Sequence, residues 1–400
     1  MARIRLIKLS VIILLFLVVN PGISYTEAQE NNVGWYENFQ IHGALLGYYG
    51  FFDMNDGGNS NQFNAAVNLD AEIRINDRLM GGFQIQAAPG GDDIGFSTQM
   101  AITDLYITYE TPMEIFFTLG SFDTPFGDQT EVVTNNGDGL RNPFVINSLF
   151  MSAWGGTVGT LNTLGIMAGK ETDVWDFRVA ITNGTSESVS NSDENLEFVV
   201  DAGVNIGQWG RIAASFIDSD DNDGGPLVPG TGAPAFVTGM GAHLQAYIVD
   251  GKLNLPFLGD ESYVKGYFGQ ADFDDNVATT QDGLTFWMVE GKHEFTQKFY
   301  AAARFSAWLP DDNNGNGTGI SSALVSPGIM GAGRNITTTT ATPTPILTDQ
   351  DVTRLQLGVG YWAWDTVVLK ATFFYDDYDK LTASGNTDIA GGLLSINLGF

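Results

Sequence analysis

Residues 63–75 read Phe63-Asn64-Ala65-Ala66-Val67-Asn68-Leu69-Asp70-Ala71-Glu72-Ile73-Arg74-Ile75. Phe63, Ala65, Val67, Leu69, Ala71, Ile73 and Ile75 alternate with Asn64, Ala66, Asn68, Asp70, Glu72 and Arg74. An extended chain with this spacing has one apolar face and one face carrying charges of both signs. A water-soluble sandwich turns the apolar face inward, whereas a membrane barrel turns it outward to lipid. Length separates the two, because a tilted strand that crosses a bilayer needs about 9–11 residues and ordinary strands average about 5–6. This run is of the longer kind.

The same period recurs on both sides of it and predicts sixteen strands. They cover about 39–53, 61–76, 79–88, 99–110, 113–120, 158–169, 173–183, 195–207, 210–218, 237–250, 261–272, 283–295, 298–309, 351–362, 365–377 and 388–400. The joins sort by length. Every second join is tight (76–79, 110–113, 170–173, 207–210, 295–298 and 362–365), with 250–261 the exception. The others, such as 53–61, 218–236 and 310–350, are longer and rich in Gly, Asn and Asp. Short turns at one end, long loops at the other and an even strand count describe a transmembrane barrel. The predicted fold is therefore all-β: a 16-stranded antiparallel transmembrane β-barrel. Tyr49, Tyr109, Trp175, Phe295 and Tyr361 fall on the apolar parity near strand ends, where interfacial aromatic girdles sit.

Composition agrees. The chain has 49 Gly, 12% aromatic residues, only 16% charged residues and no Cys, which excludes a disulfide framework and a thiolate metal site. Its net charge of −29 excludes nucleic acid as a partner, since phosphate binding needs Lys/Arg patches. Residues 1–28 read as a secretory signal peptide: Arg3, Arg5 and Lys8, a wholly apolar run over 11–19, then Asn20-Pro21 and a small-residue cleavage site around Ala28. That leaves 29–400 as one barrel domain, expected in a bacterial outer membrane.

The alternation stops at Ser121–Trp154, SFDTPFGDQTEVVTNNGDGLRNPFVINSLFMSAW. A loop this long is functional or disordered, and its four Phe and its Trp argue against disorder. The reading is a loop folded into the barrel mouth, narrowing it. At its start, Leu119-Gly120-Ser121-Phe122-Asp123-Thr124-Pro125-Phe126-Gly127 is similar to the G-x-F-x-T-P-F-G stretch of phosphate-selective and related substrate-specific porins. As architecture, the whole of 29–400 resembles bacterial porins of the sixteen-strand class. The resemblance implies that 121–154 helps form a constriction and that the protein is a homotrimer; Gly43 and Gly47 on the outward face of the first strand suit close subunit packing. The last strand, ending on Phe400, resembles the insertion signal of outer-membrane proteins. Phosphate channels line their constriction with many Lys and Arg, whereas this loop carries Asp123, Asp128, Glu131 and Asp138 against Arg141, which counts against phosphate selectivity.

The register also assigns the lumen. Arg74, Arg178, Arg211, Lys265, Lys292, Arg304, Arg354 and Lys370 all fall on the polar parity, as a cost of about 2–4 kcal/mol for Lys or Arg at the bilayer midplane requires. Counted from the tight turns, Arg178, Arg304 and Lys370 are expected near mid-height, facing the acidic loop and creating a transverse field. Inward Asp70, Asp104, Asp201 and Glu290 interrupt the basic wall. The competing reading has these charges pairing with one another and pinning the loop. Acid-rich mouth loops predict a weak cation preference.

Other chemistries are weaker. Asp312-x-Asn314-x-Asn316-Gly317 begins like a calcium loop, but its twelfth position is Ala323 where a bidentate Glu is needed; no metal or cofactor is expected. His42, His243 and His293 are far apart, with no Ser-centred elbow, so no enzyme is expected. The expected function is a passive outer-membrane porin for small hydrophilic solutes or ions, touching the lipid bilayer and lipopolysaccharide. The alternatives are a substrate-specific anion or phosphate-type porin, a surface adhesin using 310–350, and a barrel-embedded hydrolase.

Overall fold

The computed structural model describes residues 39–54, 58–90, 97–127, 138–145, 162–183, 196–221, 242–275, 281–310, 351–378 and 389–400. Residues 1–38 and most of the long joins lie outside the described residues. Sixteen strands form the barrel: β1 (Phe39–Met54), β2 (Gly58–Asn76), β3 (Leu79–Gly90), β4 (Ser97–Glu110), β5 (Ile115–Asp123), β6 (Asn162–Glu171), β7 (Trp175–Thr182), β8 (Glu197–Asn205), β9 (Gly210–Asp221), β10 (Ala242–Asn254), β11 (Tyr263–Asp275), β12 (Gln281–Thr296), β13 (Phe299–Pro310), β14 (Val352–Trp364), β15 (Val367–Tyr378) and β16 (Ile389–Gly399). Each pairs antiparallel with its sequence neighbours, and β1 pairs with β16 to close the cylinder. Closure leaves no sheet edge, so every strand can satisfy its backbone groups within the protein, as lipid demands. The seam ends in a reciprocal pair: Gly43 N donates to Phe400 O at 2.8 Å and Phe400 N to Gly43 O at 3.0 Å.

The short turns have local causes. Asn76 Oδ1 accepts from Arg78 N at 2.9 Å. Thr172 Oγ1 accepts from Trp175 N at 2.9 Å, and Thr296 Oγ1 accepts from Phe299 N at 3.1 Å. Such Asx and Ser/Thr turns hold the chain reversal with the side chain of its first residue. The longest turn at this end, between Asn254 and Tyr263, contains a short 3-10 turn at Pro256–Leu258. The expected end of β10 is corrected here: alternation continues past Asp250 to Asn254, which shortens the exceptional join.

Sidedness follows the alternation. On β14, Leu355, Leu357, Val359 and Tyr361 are exposed, while Arg354, Gln356, Gly358 and Gly360 between them are buried. The same holds for Phe268 against Tyr267 and Phe305 against Arg304. The exposed face is apolar on strand after strand, the inverse of a soluble protein, so its natural solvent is hydrocarbon. Tyr109, Trp175, Phe295 and Tyr361 are exposed close to the short turns, along with Trp209 and Trp364, and form one aromatic girdle.

Gly43 and Gly120 are each required by a close approach within the chain. A side chain at Gly43 would meet the ring of Phe400, and one at Gly47 would touch Ile396. Gly43 therefore makes room for the terminal aromatic of its own chain at the seam. Gly120 has φ 134° within β5, and a Cβ there would strike the Leu105 carbonyl. Only glycine takes this backbone without strain, which gives the glycine of the Leu119–Gly127 motif a physical role.

Candidate functional site: the barrel lumen

Cross-strand pairing sets the inward side chains in rows. One row runs Arg211, Lys252, Lys265, Glu290, Arg304, Gln356 and Phe374 across β9 to β15. Arg304 Nε donates to one carboxylate oxygen of Glu290 at 2.6 Å, with Nη2 2.5 Å from the same oxygen. The other oxygen accepts from Tyr263 Oη at 2.5 Å, with Lys265 Nζ 3.9 Å away. On the neighbouring row, Arg354 makes a two-pronged contact with Asp376 at 2.7 Å for each prong, and neither side chain is exposed at all. Removing one partner of such a pair strands a buried charge at a cost of about 3–5 kcal/mol; kept together, the pairs stitch adjacent strands.

Nearer the long loops the same inner wall turns apolar. Ile217, Ile248, Phe286 and Trp308 are buried and inward, with Phe286 and Trp308 stacked at 6.1 Å. This apolar patch sits among polar groups that reach the same end of the barrel, such as Arg354 with Asp376 and Thr182 with Glu197.

The described parts of the long loop touch inward-facing residues. β5 runs through Asp123, so the loop begins at Thr124. Gly127 N donates to Ser215 Oγ of β9 at 3.0 Å. A single helical turn, α1 (Asp138–Arg141), places Leu140 against Gly399 at the inner end of β16. Residues 142–145 then lie on β13–β15. Lys370 Nζ donates to Asn142 O at 2.6 Å, Tyr300 Oη to Pro143 O at 3.4 Å and Val145 N to Thr372 Oγ1 at 3.0 Å. The guanidinium of Arg304 sits 4.5 Å from the Phe144 ring centre. Phe144 and Val145 are wholly buried.

This arrangement alters several expectations. Arg304 and Lys370 do meet the loop, through a ring face and a backbone carbonyl among its described residues. Both are nearly inaccessible, at 1% and 3% exposure. Arg178 is not with them: it lies on β7 and pairs with Glu171 beside the short turn at 2.5 Å. Arg211 anchors a separate cluster, binding Asp176 through two nitrogens at 2.6 and 3.0 Å and Asp201 at 2.9 Å, with Asp250 at 3.8 Å. Asp123 is exposed at the end of β5, and its charge is felt at Tyr106 together with those of Asp70, Glu72 and Asp104. Arg141 is exposed, within electrostatic reach of Glu261. Asp128, Glu131 and the side chain of Asp138 lie outside the described residues, as do 310–350 in large part and the side chain of His243.

Asn142, Phe144, Tyr300 and Thr372 were not anticipated. Tyr300 and Thr372 could have been read from inward parity, but nothing in the spacing of 142–145 says which wall it lies on. Ser262 and His293 approach to 3.5 Å, but Ser262 Oγ also accepts the Glu294 N–H at 2.9 Å and closes the 255–262 turn. Among the described residues no group of three or more His, Asp or Glu could hold a metal.

A closed sixteen-strand barrel with an apolar exterior and charged residues inside is the architecture of the bacterial outer-membrane porins. Solved structures bear this out. OmpT of Vibrio cholerae in a trimer form superposes with TM-score 0.57 at 14% identity, covering 90% of this chain and 99% of its own. An anion-selective porin from Comamonas acidovorans gives 0.59 at 10% identity over 90% and 99%. OmpF of Salmonella typhi, in a complex with daunomycin, gives 0.58 at 13% over 90% and 97%. No family model and no curated protein matches the sequence. The likeness is one of fold, that of outer-membrane barrels.

Proposed function

We propose that the protein is a passive outer-membrane diffusion channel for small hydrophilic solutes or ions, weakly cation-preferring, acting as a homotrimer and not as an enzyme. The observation that carries this reading is the sidedness of the strands: apolar side chains outside, ion pairs and amides inside. Residues 124–127 and 138–145, bonded to the inner faces of β9 and β13–β16, support a loop that narrows the water column. Permeation through such a column needs no conformational cycle; diameter and wall charge act on the hydrated solute. The trimer rests on the fold resemblance, one neighbour being described in a trimer form.

An anion-specific channel is the second reading, favoured by the row of Arg211, Lys252 and Lys265. Several of the wall cations are already matched by carboxylates or covered, which weighs against it. Planar-bilayer recording with purified protein tests the proposal. Stepwise conductance that scales with salt, reduced by sugars according to size, is expected; the sign of the reversal potential in a salt gradient separates the cation from the anion reading. A bilayer left silent by folded protein refutes the channel and favours an adhesin or a hydrolase.

A further inference from the structure

The inner charges are segregated by wall. On the described inner faces of β1–β4 the carboxylates are Asp70, Glu72, Asp104 and Glu110 against Arg74. Across β10–β15 the balance reverses: Lys252, Lys265, Lys292, Arg304, Arg354 and Lys370 face Asp250, Glu290, Glu294 and Asp376 among the residues with described side chains. The two walls also differ in access. Lys265, Lys292, Arg304, Arg354 and Lys370 are all buried, by partners or by residues 142–145. Asp70 and Glu72 are part-exposed, and Gln40, His42 and Arg74 beside them are open. The described residues 142–145 thus lie on the cationic wall, while Asp70 and Glu72 on the acidic wall keep access to water, Asp104 being buried.

We infer that solutes pass along the β1–β4 wall, and that Glu72 with Asp70 is the specificity-determining pair that biases this channel toward cations. The inference rests on the channel reading above and deepens it. A transverse field also arises between the two walls themselves. Its basic side is largely neutralised by ion pairs and covered, so a permeating ion meets mainly the acidic side. Favoured solutes are metal cations and small organic molecules bearing an ammonium group. Glu72 sits four residues from the end of β2 at Asn76, within a Debye length of about 8–10 Å of anything sharing that part of the lumen. One unit charge at such range, seen with opposite sign by cation and anion, alters their permeability ratio about twofold.

The test is the reversal potential of single channels in a potassium chloride gradient, for the wild type, Glu72→Gln, Glu72→Lys and Lys252→Gln. Lys252 is the exposed cation of the opposite wall. The cation-to-anion permeability ratio should fall about twofold in Glu72→Gln and about fourfold in Glu72→Lys, and rise by no more than about twofold in Lys252→Gln. Glu72 is part-exposed and Gln is isosteric, so the barrel folds. Unitary steps with an unchanged reversal potential in both Glu72 variants overturn the inference while leaving the channel intact. A shift confined to Lys252→Gln overturns it in favour of passage along the cationic wall. Wild-type protein without steps removes the channel reading itself.

Discussion

Replacing Lys370 by Met and Thr372 by Val should loosen the loop without opening the barrel. Lys370 is buried, and its ammonium donates to Asn142 O at 2.6 Å; in the amide orientation its neighbours dictate, Asn397 offers it a second acceptor at 3.1 Å. Met keeps the length of the stem and leaves no unpaired charge. A hydrogen bond from a charged donor is worth about 1.5–3 kcal/mol. Thr372→Val removes the acceptor for Val145 N, about 1 kcal/mol for the bond and more if the buried N–H stays orphaned. The two changes together remove roughly 3 kcal/mol of loop anchoring, a factor of about one hundred in the detached population. Hydrogen–deuterium exchange of peptides covering 138–145 should accelerate by that factor in the double variant, while peptides from β13 to β15 keep their protection. Single channels should show added substate flicker. If 138–145 exchanges at the wild-type rate in a folded double variant, these contacts do not hold the loop and the argument from geometry is wrong.

Two further outcomes follow from the ion pairs. Arg354→Met should destabilise the barrel by about 3–5 kcal/mol because Asp376 is left buried and alone, whereas Arg354→Met with Asp376→Leu should recover most of that; urea unfolding in detergent decides, and equal loss in both variants would refute the pairing. Burial pushes the Glu261 carboxyl up, but the hydrogen bond and charge of Lys292 at 2.7 Å outweigh it and hold the group below the usual carboxylate range. A carboxyl depressed in the folded protein contributes stability that is full above its unfolded value of about 4.3 and fades as pH falls through the lower folded one. The 255–262 turn should therefore lose exchange protection below about pH 4, and Glu261→Gln should flatten that dependence. Identical acid profiles for the two proteins would show that the pair does not act.

Much of the barrel was legible because the strand period is local. Phe63–Ile75 declares its two faces residue by residue, and Asn76, Thr172 and Thr296 close their turns with side chains one to three positions away. Where the pattern was misjudged, as at Asp250–Asn254, an interior Gly251 hid a strand that continues. Inward parity also located the lumen cations. It could not say which of them see water, because exposure depends on what is laid over them from far along the chain. Arg178, Arg304 and Lys370 share parity and approximate height, yet one pairs beside a short turn while the others lie beneath residues 142–145.

Alternation, turn chemistry and the strand count belong to the sequence, since each is settled between residues a few positions apart, and together they specify a sixteen-strand cylinder with a greasy outside. The position of residues 138–145 does not: Asn142 meets Lys370 across 228 positions, a contact that exists only once the cylinder has closed. Tertiary structure alone therefore decided which inner wall is covered and which is open. Charge acts through distance and access to water, and neither quantity is written in residue order.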